Sequence, residues 1–130
     1  MITPTAINVR TQSRVVEIEF GDKRFTYPFE FLRVYSPSAE VRGHGEGQEI
    51  LQTGKRNVGL TALEPVGNYA VQPHFTDGHN TGIFSWDYLL WLGENQLNLW
   101  QTYLDKLQAA GFSGDSGRDV VMDVTGKSCS

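Results

Sequence analysis

The chain has 130 residues, of which 39% are apolar, 20% charged and 12% aromatic, the composition of a single soluble globular domain. Lysine and arginine number 11 against 15 aspartates and glutamates, and a net charge of -4 gives no electrostatic footprint for nucleic acid or an anionic membrane. The single cysteine, Cys129, excludes an internal disulfide and a thiolate cluster for zinc or iron-sulfur.

A domain of this length buries roughly two-thirds of its unfolded surface, and seven Phe, five Tyr and three Trp supply a core without metal or disulfide staples. Residues 1–60 carry eight basic and seven acidic side chains, and residues 61–130 three and eight, so the negative charge gathers in the C-terminal half. The N-terminus has no apolar run of signal-peptide length and no stretch reaches membrane-spanning length, so a cytoplasmic location is expected.

Ile7, Val9, Val15, Val16, Ile18 and Phe20 alternate up to Gly21-Asp22-Lys23, and Arg24 to Tyr27 resumes the pattern, which predicts two short strands joined by a tight turn. Pro28 stops the second, and Glu30 to Tyr35 reads as a short helix closed by Ser36-Pro37-Ser38. Residues 42–56 hold four glycines and a basic end, and read as a long loop able to carry function. Val58 to Val66 and Tyr69 to Thr76 form a hairpin across Gly67-Asn68, and Asn80 to Phe84 is expected as a third strand after Asp77-Gly78.

Ser85 stands as an N-cap before Trp86, Leu89 and Leu90, with Asp87 in the first turn. Gly93 is expected to break this helix. A second helix from near Asn95 is expected to bury Leu97, Trp100, Leu104 and Leu107 until Gly111 caps it. The expected fold is therefore α+β: a small antiparallel sheet of about five strands, a short helix after strand two, and C-terminal helices packed on the sheet. Residues 1–111 form the domain and 112–130 a flexible polar tail.

Tests for chemistry in the motifs give no catalytic site. His44-Gly45-Glu46 has the His-x-acid spacing of an iron triad, but His74 and His79 follow only about thirty residues later, and a chain this small cannot build the double-stranded β-helix that site requires. The glycines before Gly54-Lys55 fail as a phosphate loop, because Glu49 takes the place of its first glycine and Arg56 that of the magnesium-binding hydroxyl. Lys55 and Arg56 read as a solvated loop end or a patch for an acidic partner. His74, Asp77 and His79 cluster around a turn, but a chain reversal separates the imidazoles and Asp77 is ordinary turn chemistry. No nucleophile-elbow pattern is present, and Trp86, Trp91 and Trp100 read as core.

The strings LRVYSPSAEVRGHG, QTGKRNVG, EPVGNYAV and DGHNTGIFSWDYL, within residues 7 to about 93, together resemble the gamma-butyrobetaine hydroxylase-like N-terminal domain family. The resemblance implies a small α+β domain that stands alone in bacteria, precedes the oxygenase domain of gamma-butyrobetaine and trimethyllysine hydroxylases, or is attached to iron-sulfur carrier ATPases. It covers the accessory part alone, so the iron and 2-oxoglutarate chemistry does not carry over. The animal hydroxylases hold a structural zinc here through three cysteines and a histidine. On this pairing His79 matches the histidine, while Ser36, Ser38 and Val41 replace the thiolates, so no cofactor is expected.

The reading that follows is a non-catalytic accessory or interaction module with a protein partner, captured on a surface formed by Arg42, His44, Lys55, Arg56, Trp86 and Asp87 beside His79. The alternative is a zinc- or iron-binding protein linked to oxygenase or iron-sulfur assembly, using His79 with His74, Asp77 or His44.

Overall fold

A computed structural model of the chain describes residues 2–42, 50–119, 121–122 and 128–129. Strands β1 (Ala6–Arg10), β2 (Val15–Phe20) and β3 (Lys23–Pro28) form one antiparallel sheet in chain order. Alternation sends Val16, Ile18 and Phe20 into the core, and the register sets Val16 opposite Tyr27 and Ile18 opposite Phe25. Gly21, at φ +66°, allows the tight turn that pairs Phe20 with Lys23.

Helix α1 (Phe29–Val34) follows at once and is buried on every side, Glu30 and Arg33 included. After the short α2 (Ala39–Arg42), β4 (Leu60–Val66), β5 (Ala70–Phe75) and the two-residue β6 (Phe84–Ser85) form a second three-stranded antiparallel sheet. Helices α3 (Trp86–Glu94) and α4 (Gln96–Ala109) close the body. Then come α5 (Ser116–Asp119) and the small ribbon of β7 (Val121–Met122) and β8 (Ser128–Cys129). Both sheets, α1 and α3 share one core, in which Ile18, Tyr27, Phe31, Phe84, Leu89 and Leu92 are almost fully enclosed.

The α+β class is as expected, with the strands divided differently. Arg14 adopts φ +61° and reverses the chain after Arg10, so the first alternating run makes two strands, and the short helix follows strand three. Instead of one sheet of about five strands there are two of three. The run from Asn80 is not a strand until Phe84. The Gly78 turn, closed by the Phe75 N–H on the His79 carbonyl at 3.0 Å, directs residue 79 inward instead.

Ser85 caps α3 through its Oγ, which accepts from the Tyr88 N–H at 3.1 Å. Gly93 does not break that helix. A Cβ there would stand 2.6 Å from Phe25 Cγ and 2.8 Å from Tyr27 Oη, so the glycine lets α3 lie close on β3. Leu97 is 87% exposed, whereas Tyr103 joins Leu107 in the core, with Trp100 and Leu104 half-buried against them. The segment after Gly111 begins as a docked strap: Gly117 is buried, its carbonyl accepts from Gly54 N–H at 3.0 Å, and the Arg118 carbonyl accepts from Arg56 N–H at 3.1 Å.

Intrinsic propensity favours alanine over glycine inside a helix by about 1 kcal/mol. The Gly93 contacts reverse that sign. Gly93→Ala is expected to lower stability by about 1–3 kcal/mol in urea melts, as overpacking does. A variant as stable as the parent, or more so, would remove the close-approach explanation.

Candidate functional site

The most concentrated polar chemistry lies where α1 ends and the turn after β5 folds back over it. Ser36 and Ser38 leave the end of α1, and the Ser38 carbonyl accepts the N–H groups of Val41 and Arg42 as α2 begins. The Gly78 turn, at φ +88°, delivers His79 to the same place. His79 Nε2 lies 2.8 Å from Ser36 Oγ and 3.3 Å from Ser38 Oγ, and all three residues are buried. Val41 is buried too. Gly82 backs onto Ser36: a Cβ at that position would stand 2.1 Å from Ser36 Oγ.

Beside this cradle sits Asp77. Its Oδ2 accepts from Arg33 Nε at 2.8 Å and Lys55 Nζ at 2.6 Å, and its Oδ1 accepts from the His79 N–H at 3.2 Å. Burial raises the pKa of such a carboxyl. The Lys55 hydrogen bond, the Arg33 charge and hydrogen bond, and the His79 N–H outweigh that effect and hold it at about 2. Ser36, His79 and Asp77 have the composition of a catalytic triad without its arrangement. Asp77 binds the histidine backbone, and Ser36 is only 1% exposed.

The cradle also does not suit zinc. One imidazole, two neutral hydroxyls and an isopropyl group lack the anionic soft donors that a closed tetrahedral site uses. Of the other candidate ligands, His74 Nε2 lies 3.1 Å from Glu64 on the partly exposed side of the second sheet, and the Asp77 oxygens are engaged as above. His44 lies outside the described residues. Among the described residues, no three His, Cys, Asp or Glu side chains converge as a metal-holding set.

Of the six surface residues expected from the sequence, His44 lies outside the described residues and the other five do not gather on one wall. Lys55 joins the Asp77 cluster. Arg56 turns to the docked strap, where Nε donates to Asp119 Oδ1 at 2.6 Å and Nη2 lies 3.2 Å from Asp115 Oδ2. Both cations of the Lys55-Arg56 pair thus meet acidic groups of the same chain. Arg42 is exposed, with its guanidinium 5.0 Å from the centre of the Tyr88 ring. Trp86 is buried and its indole N–H donates to the Asn68 carbonyl at 2.8 Å, at the opposite end of β5 from His79. Asp87 is exposed in the first turn of α3.

Sequence reasoning missed two buried charges of α1. Arg33 reaches Asp77, and Glu30 accepts two hydrogen bonds from Arg118, from Nε at 2.8 Å and Nη2 at 2.6 Å. That guanidinium also lies 5.2 Å from the Trp100 ring centre. The available signal was a pair of opposite charges inside FEFLRV, a helix otherwise apolar all round.

The Asp77 arrangement fixes a pH dependence. A carboxyl held at about 2 in the folded chain, against 3.8 ordinarily, contributes about 2 kcal/mol that is fully present above pH 4 and fades as the pH falls toward 2. Asp77→Asn is expected to cost about 3 kcal/mol at pH 7, because it leaves Arg33 buried without its counterion. Urea melts should show the gap between parent and variant closing between pH 4 and pH 2. A gap that stays constant over that range contradicts the assignment.

Comparison with known proteins adds a family to this geometry. The family model described as "Gamma-butyrobetaine hydroxylase-like, N-terminal" matches residues 7–90. Two solution structures determined by NMR are each 45% identical over 95% of this chain. They share 98% and 92% of their own length with it, at TM-scores of 0.77 and 0.75. A crystal structure of a DUF971-family protein of unknown function from Acidithiobacillus ferrooxidans is 44% identical, covers 67% of this chain and 88% of that one, and has a TM-score of 0.56. No curated protein matches. With the family model spanning most of the body that holds both sheets, α1 and the cradle, the chain belongs to the gamma-butyrobetaine hydroxylase-like N-terminal domain family.

Proposed function

We propose that the protein is a non-catalytic interaction domain that works by presenting a surface to another protein. The observation that carries this reading is that the polar centre is tied largely to groups of the same chain. Ser36, Ser38, His79 and Arg33 are buried, Lys55 and Asp77 lie at the edge beside them, and hydrogen bonds link Ser36 and Ser38 to His79, and Arg33 and Lys55 to Asp77. Such groups stabilise a scaffold and are not poised for a substrate. The family model supports the same reading, because it describes the N-terminal part of a hydroxylase-like protein and not an oxygenase core.

The face we assign to the partner is the one bounded by the expected Arg42 to Arg56 loop. With Lys55 and Arg56 paired inside the chain, its exposed features among the described residues include Arg42 and Ile50, the latter 54% exposed. A zinc- or iron-binding role is the weaker reading, since the donor set in the cradle is chemically poor for either ion. A cytoplasmic location remains part of the proposal. Among the described residues no helix is long and apolar enough to cross a membrane.

The test is affinity capture with crosslinking from the protein's own cells, comparing the parent with Arg42→Glu/Ile50→Asp after circular dichroism shows both folded. The expected outcome is at least a tenfold loss of one crosslinked polypeptide in the variant. Equal recovery by both proteins would contradict the assigned face.

A further inference from the structure

A cleft opens on that face, between the end of α1, the α2 region and α4. Val34, Tyr35, Val41, Ile50, Leu51 and Gln52 line its walls, and Arg42 and Lys106 stand with them. Its volume is about 260 Å³, room for one or two aliphatic side chains and less than the roughly 300–1,000 Å³ of small-molecule sites. The walls are held in place. The Ile50 N–H donates to the Val41 carbonyl at 2.8 Å, Gln52 Nε2 to the Ile50 carbonyl at 2.8 Å, and the Tyr103 hydroxyl to the Gln52 carbonyl at 2.7 Å. A preformed cleft loses little conformational freedom when it is filled.

The charge pattern around it is unusual for this chain. Arg10, Lys23, Arg24, Arg33, Lys55, Arg56 and Arg118 all pair with carboxylates, and Arg14 donates to the Val58 carbonyl. Arg42 and Lys106 have no carboxylate partner among the described residues. In a chain of net charge -4, these two cations of the described residues both line one apolar cleft. From this we infer that the cleft takes an aliphatic side chain of a partner protein, flanked in the partner's sequence by acidic residues that meet Arg42 and Lys106. This inference rests on the interaction reading above and names the chemistry of the partner's segment. Apolar burial supplies the affinity, and the two cations select against basic segments and speed the encounter.

The probes are two acetylated, amidated hexapeptides with a central dileucine, one flanked by aspartates and the other by lysines. Each is titrated into ¹⁵N-labelled full-length protein. The acidic peptide is expected to shift the amides of Val41, Leu51, Gln52 and Lys106, to bind at least fivefold more tightly than the basic one, and to weaken as salt rises. Arg42→Glu/Lys106→Glu is expected to invert that preference. Equal binding of both peptides, shifts centred elsewhere, or no binding of either up to millimolar concentration would overturn the inference. The two readings separate in the capture experiment. Recovery that depends on Ile50 but is indifferent to Arg42→Glu/Lys106→Glu keeps the interaction face and removes the acidic partner segment, whereas indifference to both variants removes the face itself.

Discussion

Three separate stretches of chain meet on one carboxylate. Asp77 receives Arg33 from the end of α1, Lys55 from the long connection before β4, and the backbone of His79 from its own turn. A buried guanidinium needs a counterion, and a half-buried carboxylate needs donors, so each of these groups is costly alone and stable in company. With Asp77 holding the His79 N–H, the Gly78 turn brings the His79 ring to Ser36 and Ser38. The rigid corner that results also fixes the α1–α2 turn, whose Val34, Tyr35 and Val41 form part of the apolar cleft.

A second pair of buried charges does similar work at the other end of α1. Glu30 is 6% exposed and is matched by both donors of Arg118, so the strap after Gly111 is fastened to the body by a charge-assisted fork. Arg56 adds Asp115 and Asp119 to the same junction. Helix α1 is therefore an apolar rod clamped at two points by charge. That explains how a six-residue helix, far below the length at which isolated helices persist, organises two sheets around it.

Local rules carried the sequence reading where the deciding contacts are local. The alternation of Val16, Ile18 and Phe20, the Gly67-Asn68 hairpin and the Ser85 cap needed only period, turn chemistry and capping. Gly93 was misread because its role is a contact with Phe25 and Tyr27, some seventy residues earlier in the chain. Leu97 and Tyr103 traded places because two helical stripes one residue apart are nearly equivalent in sequence, and packing against Val34 selects one. The pairing of Ser36, Ser38 and His79 was legible through family resemblance alone. The ion pairs of Lys55 and Arg56, whose acidic partners lie far along the chain, carried no local signal.

We propose that the cradle holds no metal: among the described residues, two hydroxyls and a methyl-bearing side chain lie about the imidazole where the family resemblance implies thiolates. The most direct test is zinc content per chain in protein purified without added metal, together with its melting temperature before and after a strong chelator. The account predicts zinc far below one equivalent and an unchanged melt. One tightly held equivalent, with a melt that falls when it is stripped, would contradict it.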